Sequence, residues 1–404
     1  MSSVCYPAHW TNQKLKYVAS LRSGEGITSD DISDTGEYPV YGGNGVRGYT
    51  SSYTHDGKYP LIGRQGALCG NINYASGKFW ASEHAVVVNV HDGHVVRWLG
   101  EVLRSMNLNQ YSQSAAQPGI SVEVIGSLSI PVPSWAEQEA IANYLDRETA
   151  RIDGLIAEKE RMLALLEEKR AALISRVVTR GLDPNAPLKP SGLEWLDEIP
   201  THWDICQLKR TWASSDYGLS ESIKDEGDIA VLRMSCIVDG RVDVSKSGMI
   251  TEVDGHLLLR RNDLLFNRTN SLDQIAKVGL VDFDPKEPLT FASYLVRIRT
   301  NNRAMPQYLV ALLNASLFLG FARKNAIPAI GQANLSPTRY GEIRIPLPPK
   351  AEQEEIVTFL KRDAETSTPV GEHIRSSINL LKERRAALIS AAVTGQISLE
   401  EMTG

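Results

Sequence analysis

Residues 130–145 read IPVPSWAEQEAIANYL and residues 345–360 read IPLPPKAEQEEIVTFL, two closely similar stretches 215 positions apart. At the same spacing, Glu168–Ser175 (EKRAALIS) meets Glu383–Ser390 (ERRAALIS), and Val178-Thr179 meets Val393-Thr394. Upstream, Gln117-Pro118-Gly119-Ile120-Ser121 meets Gln332-Ala333-Asn334-Leu335-Ser336, again at 215. A gapless correspondence this long marks a duplicated unit. The opposite ends also match, at a spacing of 193: His9-Trp10 with Leu15-Lys16, against His202-Trp203 with Leu208-Lys209. Between them, Leu61-Ile62-Gly63-Arg64 resembles Leu265-Phe266-Asn267-Arg268, and Ala81-Ser82 resembles Ala292-Ser293. The drift from 193 to 215 gives the second copy 22 extra residues, spread over several places. Matching ends with a drifting middle imply one fold with different loops, doing one job on two targets.

Each copy has two parts. The first is rich in glycine, β-branched residues and turn signals. Val40–Gly45 and His84–Val90 read as turn and strand, as do Val278–Val281 and Tyr294–Ile298. One helix is expected over Leu309–Ala322, with Val96–Met106 its counterpart. Trp80 and Trp98 are expected in the core, and His84 as a satisfied strand histidine. The class is α+β with mostly antiparallel sheet.

The second part is helical. Ser134-Trp135-Ala136-Glu137 is a capping box, and Pro349 suits the first turn of the matching helix. Gly154 lies opposite Pro369, so a short helix, an interruption and a long helix are expected. Positions 152, 156, 159, 163, 166, 170, 173 and 177 alternate by four and three, as do 374, 378, 381, 385, 388 and 392. That spacing is a coiled-coil seam carrying Arg170 in one helix and Arg385 at the same place in the other. The surrounding charged residues read as a solvated face. Between the copies, residues 181–190 form a Pro-rich, semi-extended linker.

Composition limits the function. The chain has 404 residues, 43 basic against 48 acidic, and a formal charge of −5. A basic nucleic-acid coat is excluded, so anion binding must be local. Cys5, Cys69, Cys206 and Cys236 are scattered, which supports neither a disulfide framework nor a zinc site. His91-Asp92-Gly93-His94 reads as a surface turn rather than a metal site. No apolar run is long enough for a membrane span. The first residues lack a signal-peptide pattern, and a cytoplasmic protein is expected. Gly42–Gly45 lacks the lysine and helix of a phosphate loop, and Asp183-Pro184-Asn185 does not supply the N-P-P-aromatic motif of an adenine methyltransferase. A non-catalytic chain is expected.

Two seams in one chain can pair antiparallel, with similar globules at opposite ends related by a pseudo-twofold axis. A helix of about 27 residues spans roughly 40 Å, close to the ~34 Å turn that paired half-site readers must match. Such an object suits a bipartite DNA site.

The residues also carry a resemblance. The doubled IPVP/IPLP-x-x-AEQE-x-I and [KR]RAALIS-x-x-VT segments, the segment RGLDPNAPLKPSGLEWLDEIPTHW, VYGGNGVRGY with LIGRQG, and LLFNRTNS together resemble the specificity (S) subunit of type I restriction–modification systems. The resemblance covers essentially the whole length. It implies two α/β target recognition domains joined by an antiparallel coiled coil of two long helices, each domain reading half of an asymmetric, gapped site in double-stranded DNA. It implies docking of two methyltransferase (M) subunits that modify adenine N6, and of restriction (R) subunits for ATP-dependent cleavage. S-adenosylmethionine, ATP and Mg are then expected on those partners, with no cofactor or metal in this chain and no membrane association. The expected divisions are a first recognition domain at 1–130, a helical spacer at 131–181, a linker at 182–200, a second recognition domain at 201–345 and a second spacer at 346–404. One departure is that the first globule starts near Tyr6 without the lead-in seen before His202, which is expected to trim only the terminal segment.

DNA readout needs donors and acceptors for base edges and phosphate anchors that position them. In the first globule the candidates are Asn44, Arg47, Tyr49, Arg64, Gln65, Lys78 and Ser82, set among glycines that permit close approach. In the second they are Arg233, Ser235, Asn267, Arg268, Thr269, Asn270 and Lys277. Arg64 and Arg268 lead because they occupy equivalent places and either can grip phosphate or fork onto guanine. Two other classes are a coiled-coil scaffold whose globules bind protein, and a self-contained methylating enzyme.

Overall fold

The computed structural model describes residues 6–403 except 67, 113–118, 221–223, 225 and 330. Cys5 and the Gln117-Pro118 pair of the repeated motif therefore lie outside the described residues. The chain divides into two compact units, residues 1–161 with 374–404, and residues 162–373.

The first unit begins with β1 (Thr11–Lys14), one helical turn α1 (Leu15–Val18) and β2 (Ala19–Ser23). There follow β3 (Tyr38–Gly42), β4 (Gly45–Thr50), β5 (His55–Gly63), β6 (Ile72–Ala81) and β7 (Ala85–Val90). Helices α2 (Val96–Ser105) and α3 (Val122–Ser127) lead into β8 (Ser129–Val132). Six strands make one sheet in the order β2-β7-β5-β6-β3-β4, antiparallel except where β3 runs parallel to β6. Strand β7 is apolar without alternation because both its faces are covered. Val86 and Val88 pack with Trp98, Leu99 and Leu103 of α2, while Val87 packs with Leu61 and Phe79 on the other side. Strand β8 returns to β1, Lys14 opposite Ser129, so the chain enters and leaves this globule side by side.

The second unit repeats the plan. A hairpin, β9 (Leu188–Leu193) and β10 (Leu196–Pro200), precedes β11 (Asp204–Gln207) and β12 (Trp212–Tyr217). The middle adds β13 (Ile229–Leu232), β14 (Ile237–Val238), β15 (Arg241–Val242), β16 (Gly248–Ile250), β17 (Leu264–Asn267), β18 (Thr269–Asn270) and β19 (Val278–Leu280). Then come β20 (Leu289–Phe291), β21 (Leu295–Thr300), β22 (Ile327–Ala329), β23 (Gln332–Asn334) and β24 (Arg344–Leu347). Its main sheet runs β12-β21-β17-β19-β15-β14, so β12, β21, β17 and β19 stand where β2, β7, β5 and β6 stand in the first unit. Beside it stand a three-stranded sheet, β16-β13-β20, and a ribbon, β18-β23-β22. β24 closes onto β11 as β8 closes onto β1.

Three expectations are corrected. The segment 309–322 is not one helix: α5 (Pro306–Leu313) and α6 (Ser316–Lys324) are separated at Asn314. The Asn314 amide donates to Val278 O and Val310 O (both 2.8 Å) and accepts from Val278 N, tying the break to β19. The expected linker at 182–200 is folded over its second half, because Trp195, Leu196 and Ile199 of the β9–β10 hairpin are buried in the second unit's core. After α7 (Pro337–Glu342), no interruption divides the spacer helices: α4 (Trp135–Arg180) and α8 (Lys350–Val393) are continuous, with Pro369 inside α8. Gly154 and Pro369 both face solvent. A helical glycine costs only about 1 kcal/mol and a proline about 3 kcal/mol, which the buried seam residues on either side offset. A short α9 (Leu399–Thr403) ends the described chain.

The seam is as spaced. In the first unit Ile152, Ile156 and Ile378 are buried together, with Ile374, Leu381 and Leu388 against them. Arg385 pairs with Asp153 (2.8 Å) and Lys382 with Glu160 (3.5 Å), so α4 and α8 run antiparallel there. In the second unit Val177 and Val178 share a core with Ile356, flanked by Val357 and Leu360. The repeated Ile-Ser-x-x-Val-Thr pattern has a local explanation: Thr179 Oγ1 donates to Ser175 O and Thr394 Oγ1 to Ser390 O, both at 2.7 Å.

Candidate nucleic-acid interface

Arg64 and Arg268 are held in the same way. Each follows the last residue of a central strand, β5 or β17. Arg64 N donates to His84 O (2.9 Å), and Arg64 O accepts from Ile120 N (3.1 Å). Arg268 N donates to Tyr294 O (3.0 Å), and Arg268 O accepts from Leu335 N (2.8 Å). Ile120 and Leu335 belong to the repeated segments that meet at 215 positions. A second matched pair was not singled out from sequence. Gly24 and Gly218, just after β2 and β12, pass so close to the neighbouring backbone that a Cβ would lie 2.3 Å from Ala81 O and from Ala292 O respectively.

In the first unit the turn between β3 and β4 meets the end of β5 and the turn before β7. Gly42, Gly43, Asn44, Gly45, Val46, Arg47, Gln65, Leu68 and His84 line an open cavity of about 500 Å³. Three candidates, Asn44, Arg47 and Gln65, are thus brought together, with Asn44 Oδ1 accepting from Asn71 Nδ2 (3.2 Å). Ser82 is fully buried near Gly42 and is a packing residue in this arrangement. Tyr49 is exposed on β4, and Lys78 lies over the Tyr53 ring at 4.7 Å, apart from the cavity lining. The Arg64 side chain is half-buried and its charge helps hold down the exposed Glu123 carboxyl, after that residue's own backbone N–H and the Ser121 hydroxyl. His84 sits in the turn rather than in the strand, with Nδ1 3.2 Å from Gln65 Oε1. Trp98 is buried as expected, whereas Trp80 is half-buried and donates to Glu25 O.

In the second unit Arg268 Nη1 donates to Ser293 O (3.3 Å), and the guanidinium lies 5.0 Å from the Tyr217 ring centroid. Such stacking fixes a cation without neutralising it. Asn267 is 2% exposed, so its side chain lies beneath the surface. Thr269 Oγ1 accepts from Asn334 Nδ2 (2.8 Å), Asn270 Oδ1 accepts from Ser271 N, and Lys277 Nζ donates to Gln274 Oε1. Arg233 and Ser235 are exposed on the turn after β13. Exposed Tyr217 and Tyr294 flank Arg268 and were not among the sequence candidates; a tyrosine in a loop carries no spacing signal.

Below each interface the repeated AEQE segment docks the long helix. Glu137 accepts from His9 Nε2 (2.7 Å) and Trp10 Nε1 (3.3 Å), and closes the capping box with Ser134 N (2.9 Å). Glu352 accepts from His202 Nε2 (2.7 Å) and Trp203 Nε1 (2.9 Å). The two sequence repeats at opposite ends of each copy are therefore halves of one contact. Burial pushes the Glu137 carboxyl up, but the hydrogen bonds from His9, Ser134 and Trp10 outweigh it and hold it at about 2. Beside it, buried Gln138 accepts from Val95 N and donates to Pro133 O, and buried Gln353 accepts from Met305 N and donates to Arg303 O and Pro348 O.

Among the described residues no group of histidine, cysteine and carboxylate side chains could hold a metal ion. Burial pushes the thiols of Cys69, Cys206 and Cys236 up, away from nucleophilic use. Among the described residues no helix is long and apolar enough to cross a membrane.

A model of the type I restriction modification DNA specificity domain matches the chain twice, over residues 7–162 and 203–370. The EcoprrI specificity subunit of Escherichia coli is 46% identical over 137 residues, 33% of this chain and 34% of that one. The match thus spans about a third of that relative's length. The EcoBI specificity subunit, also from Escherichia coli, is 22% identical over 418 residues, covering 97% of this chain and 87% of its own. A solved structure from work on complex assembly and conformational transition of the type I R-M system superposes with a TM-score of 0.72 at 14% identity, over 97% of this chain and 100% of that one, which shows a shared fold. With two matched domains, two copies of one globule and two long helices, the chain belongs to the type I restriction modification DNA specificity family.

Proposed function

We propose that this chain is the DNA-sequence-specificity subunit of a type I restriction–modification complex. Each globule reads one half of an asymmetric, gapped site in double-stranded DNA. Asn44, Arg47, Tyr49, Arg64, Gln65 and Lys78 serve the first half; Arg233, Ser235, Arg268, Thr269, Asn270 and Lys277 serve the second, with Ser82 and Asn267 supporting from below. The observation that carries this reading is the pair Arg64 and Arg268: the same backbone frame holds one arginine in each unit, while the neighbours differ. Gln65 and His84 stand where Thr269 and Tyr294 stand, which suits two different half-sites read by one scaffold.

Two methyltransferase subunits dock on the helical regions and restriction subunits complete the complex. Exposed Leu155 and Leu380 on the helices of the first unit, and Leu165, Phe359 and Val370 on those of the second, support such contacts. The chain itself performs no chemistry: S-adenosylmethionine, ATP and Mg belong to the partners, which methylate adenine N6 and cleave DNA. The complex works in the cytoplasm. With nearly balanced charge in each globule, phosphate neutralisation contributes modestly, so DNA binding by this chain alone is weak and salt-sensitive.

The test is to assemble the chain with its methyltransferase subunits and sequence the methylated adenines. Arg64→Ala is expected to relax one half-site and Arg268→Ala the other, with assembly intact. Loss of assembly in these variants would favour the scaffold reading.

A further inference from the structure

We infer that His84 sets which hydrogen-bonding edge Gln65 offers to DNA, so that the charge on its ring selects the base read at one position. The inference rests on the DNA-reading function proposed above and deepens it for the first unit.

Gln65 Oε1 lies 3.2 Å from His84 Nδ1, and His84 Nε2 lies 3.1 Å from Glu83 Oε1. Both Gln65 and His84 line the cavity that also holds Asn44 and Arg47. Backbone fixes the two facing segments. Arg64 N holds His84 O at 2.9 Å, and Gly43 crosses Gly63 so tightly that a Cβ on Gly63 would lie 2.2 Å from Gly43 O. Glu83 on the same turn and Arg47 on the cavity lining are charged groups near the ring.

The chemistry follows from donor and acceptor inventories. The Glu83 carboxylate only accepts, so Nε2 keeps its proton whether the ring is charged or neutral. In the charged ring Nδ1 also donates; Gln65 turns Oε1 to it and leaves its NH2 group toward the cavity. Two N–H donors suit the O6 and N7 acceptors of guanine. In the neutral ring Nδ1 accepts, so Gln65 turns one amide hydrogen to it. Its oxygen and remaining hydrogen then face the cavity, the pattern that pairs with N6 and N7 of adenine. Histidine changes charge between about pH 5 and 8, so the preferred base moves from guanine towards adenine as pH rises. In the second unit Thr269 and Tyr294 hold the matching places, and no imidazole stands there.

The experiment uses the full chain assembled with its methyltransferase subunits. A DNA library randomised over both half-sites is methylated at pH 5.5 and pH 8.5, and the modified sites are sequenced. At one position of one half-site the guanine-to-adenine ratio is expected to change about tenfold between the two pH values, while the other half-site is unchanged. Gln65→Ala relaxes that same position, and His84→Ala removes its pH dependence. Unchanged readout of the second half-site shows that each variant is folded and assembled. If the wild-type complex reads a sequence whose every position is indifferent to pH, or if the pH effect survives His84→Ala, the inference falls and the DNA-reading function stands. If the wild-type complex enriches no sequence at all, both fall.

Discussion

Arg385 Nε donates to Asp153 Oδ1 at 2.8 Å across the antiparallel seam of the first unit, joining residues 232 positions apart. The sequence placed an arginine at the same seam position in each helix, yet only Arg385 meets this carboxylate. The residue matching Asp153 at a spacing of 215 is Thr368. Both partners are partly exposed, so a double-mutant cycle of Asp153→Asn and Arg385→Gln is expected to give a coupling of about 0.2–1 kcal/mol that shrinks in high salt. Equilibrium denaturation of the four proteins measures it; a coupling well above that range would mean the seam is drier than its exposure suggests.

Gln138 and Gln353 carry more. Each is a buried amide whose loss orphans two or more backbone groups at the root of a long helix. Gln138→Ala and Gln353→Ala are each expected to destabilise by about 2–4 kcal/mol, since an unsatisfied buried group costs about 1–3 kcal/mol. Denaturation midpoints of the variants decide it, with Gln→Glu as a same-shape control that keeps the acceptor.

The clamp around Glu137 predicts a pH dependence. Its folded-state value of about 2 lies below the ordinary 4.5, so its stabilisation is present above about pH 4.5 and is lost as pH falls through about 2. The stability gap between wild type and Glu137→Gln should therefore be widest near pH 5 and close towards pH 2. A gap that stays constant over that range would show that the carboxylate is not held down.

Gly24→Ala and Gly218→Ala should each damage their own unit. The added methyl would sit 2.3 Å from a carbonyl oxygen of the adjacent strand connection, which only backbone movement relieves. Reduced protection of β2 and β7, or of β12 and β21, in hydrogen exchange is the expected signature.

How far the sequence reaches is clear from particular elements. The duplication, the α+β class, the capping box at Ser134 and the seam at Ile152 and Ile156 against Ile374, Ile378 and Leu381 are local or periodic signals, and each is present. Periodicity is blind to cost, however, so Gly154 and Pro369 looked like helix ends although the packing on both sides of each carries the helix through. The break at Asn314 depends on β19, and the burial of Trp195 depends on the second unit's core; neither is visible in neighbouring residues. His9-Trp10 and Glu137 were both conspicuous as repeats, but nothing in one copy of a chain says that two repeats touch. Within the candidate site the arginines were found by register, whereas His84 was assigned to a strand because its turn precedes a run of valines.

The pairing of β1 with β8, and of β11 with β24, has a consequence for heredity. Because each globule begins and ends on two neighbouring strands, its interior can lengthen, shorten or be replaced while the helices still receive the chain at one fixed point. The repeated stretches around Ile130 and Ile345 lie at these junctions, so crossing-over between genes of this kind at those stretches would exchange a whole globule. Under the proposed function, one recombination event then changes half of the target without a single change in the helical frame.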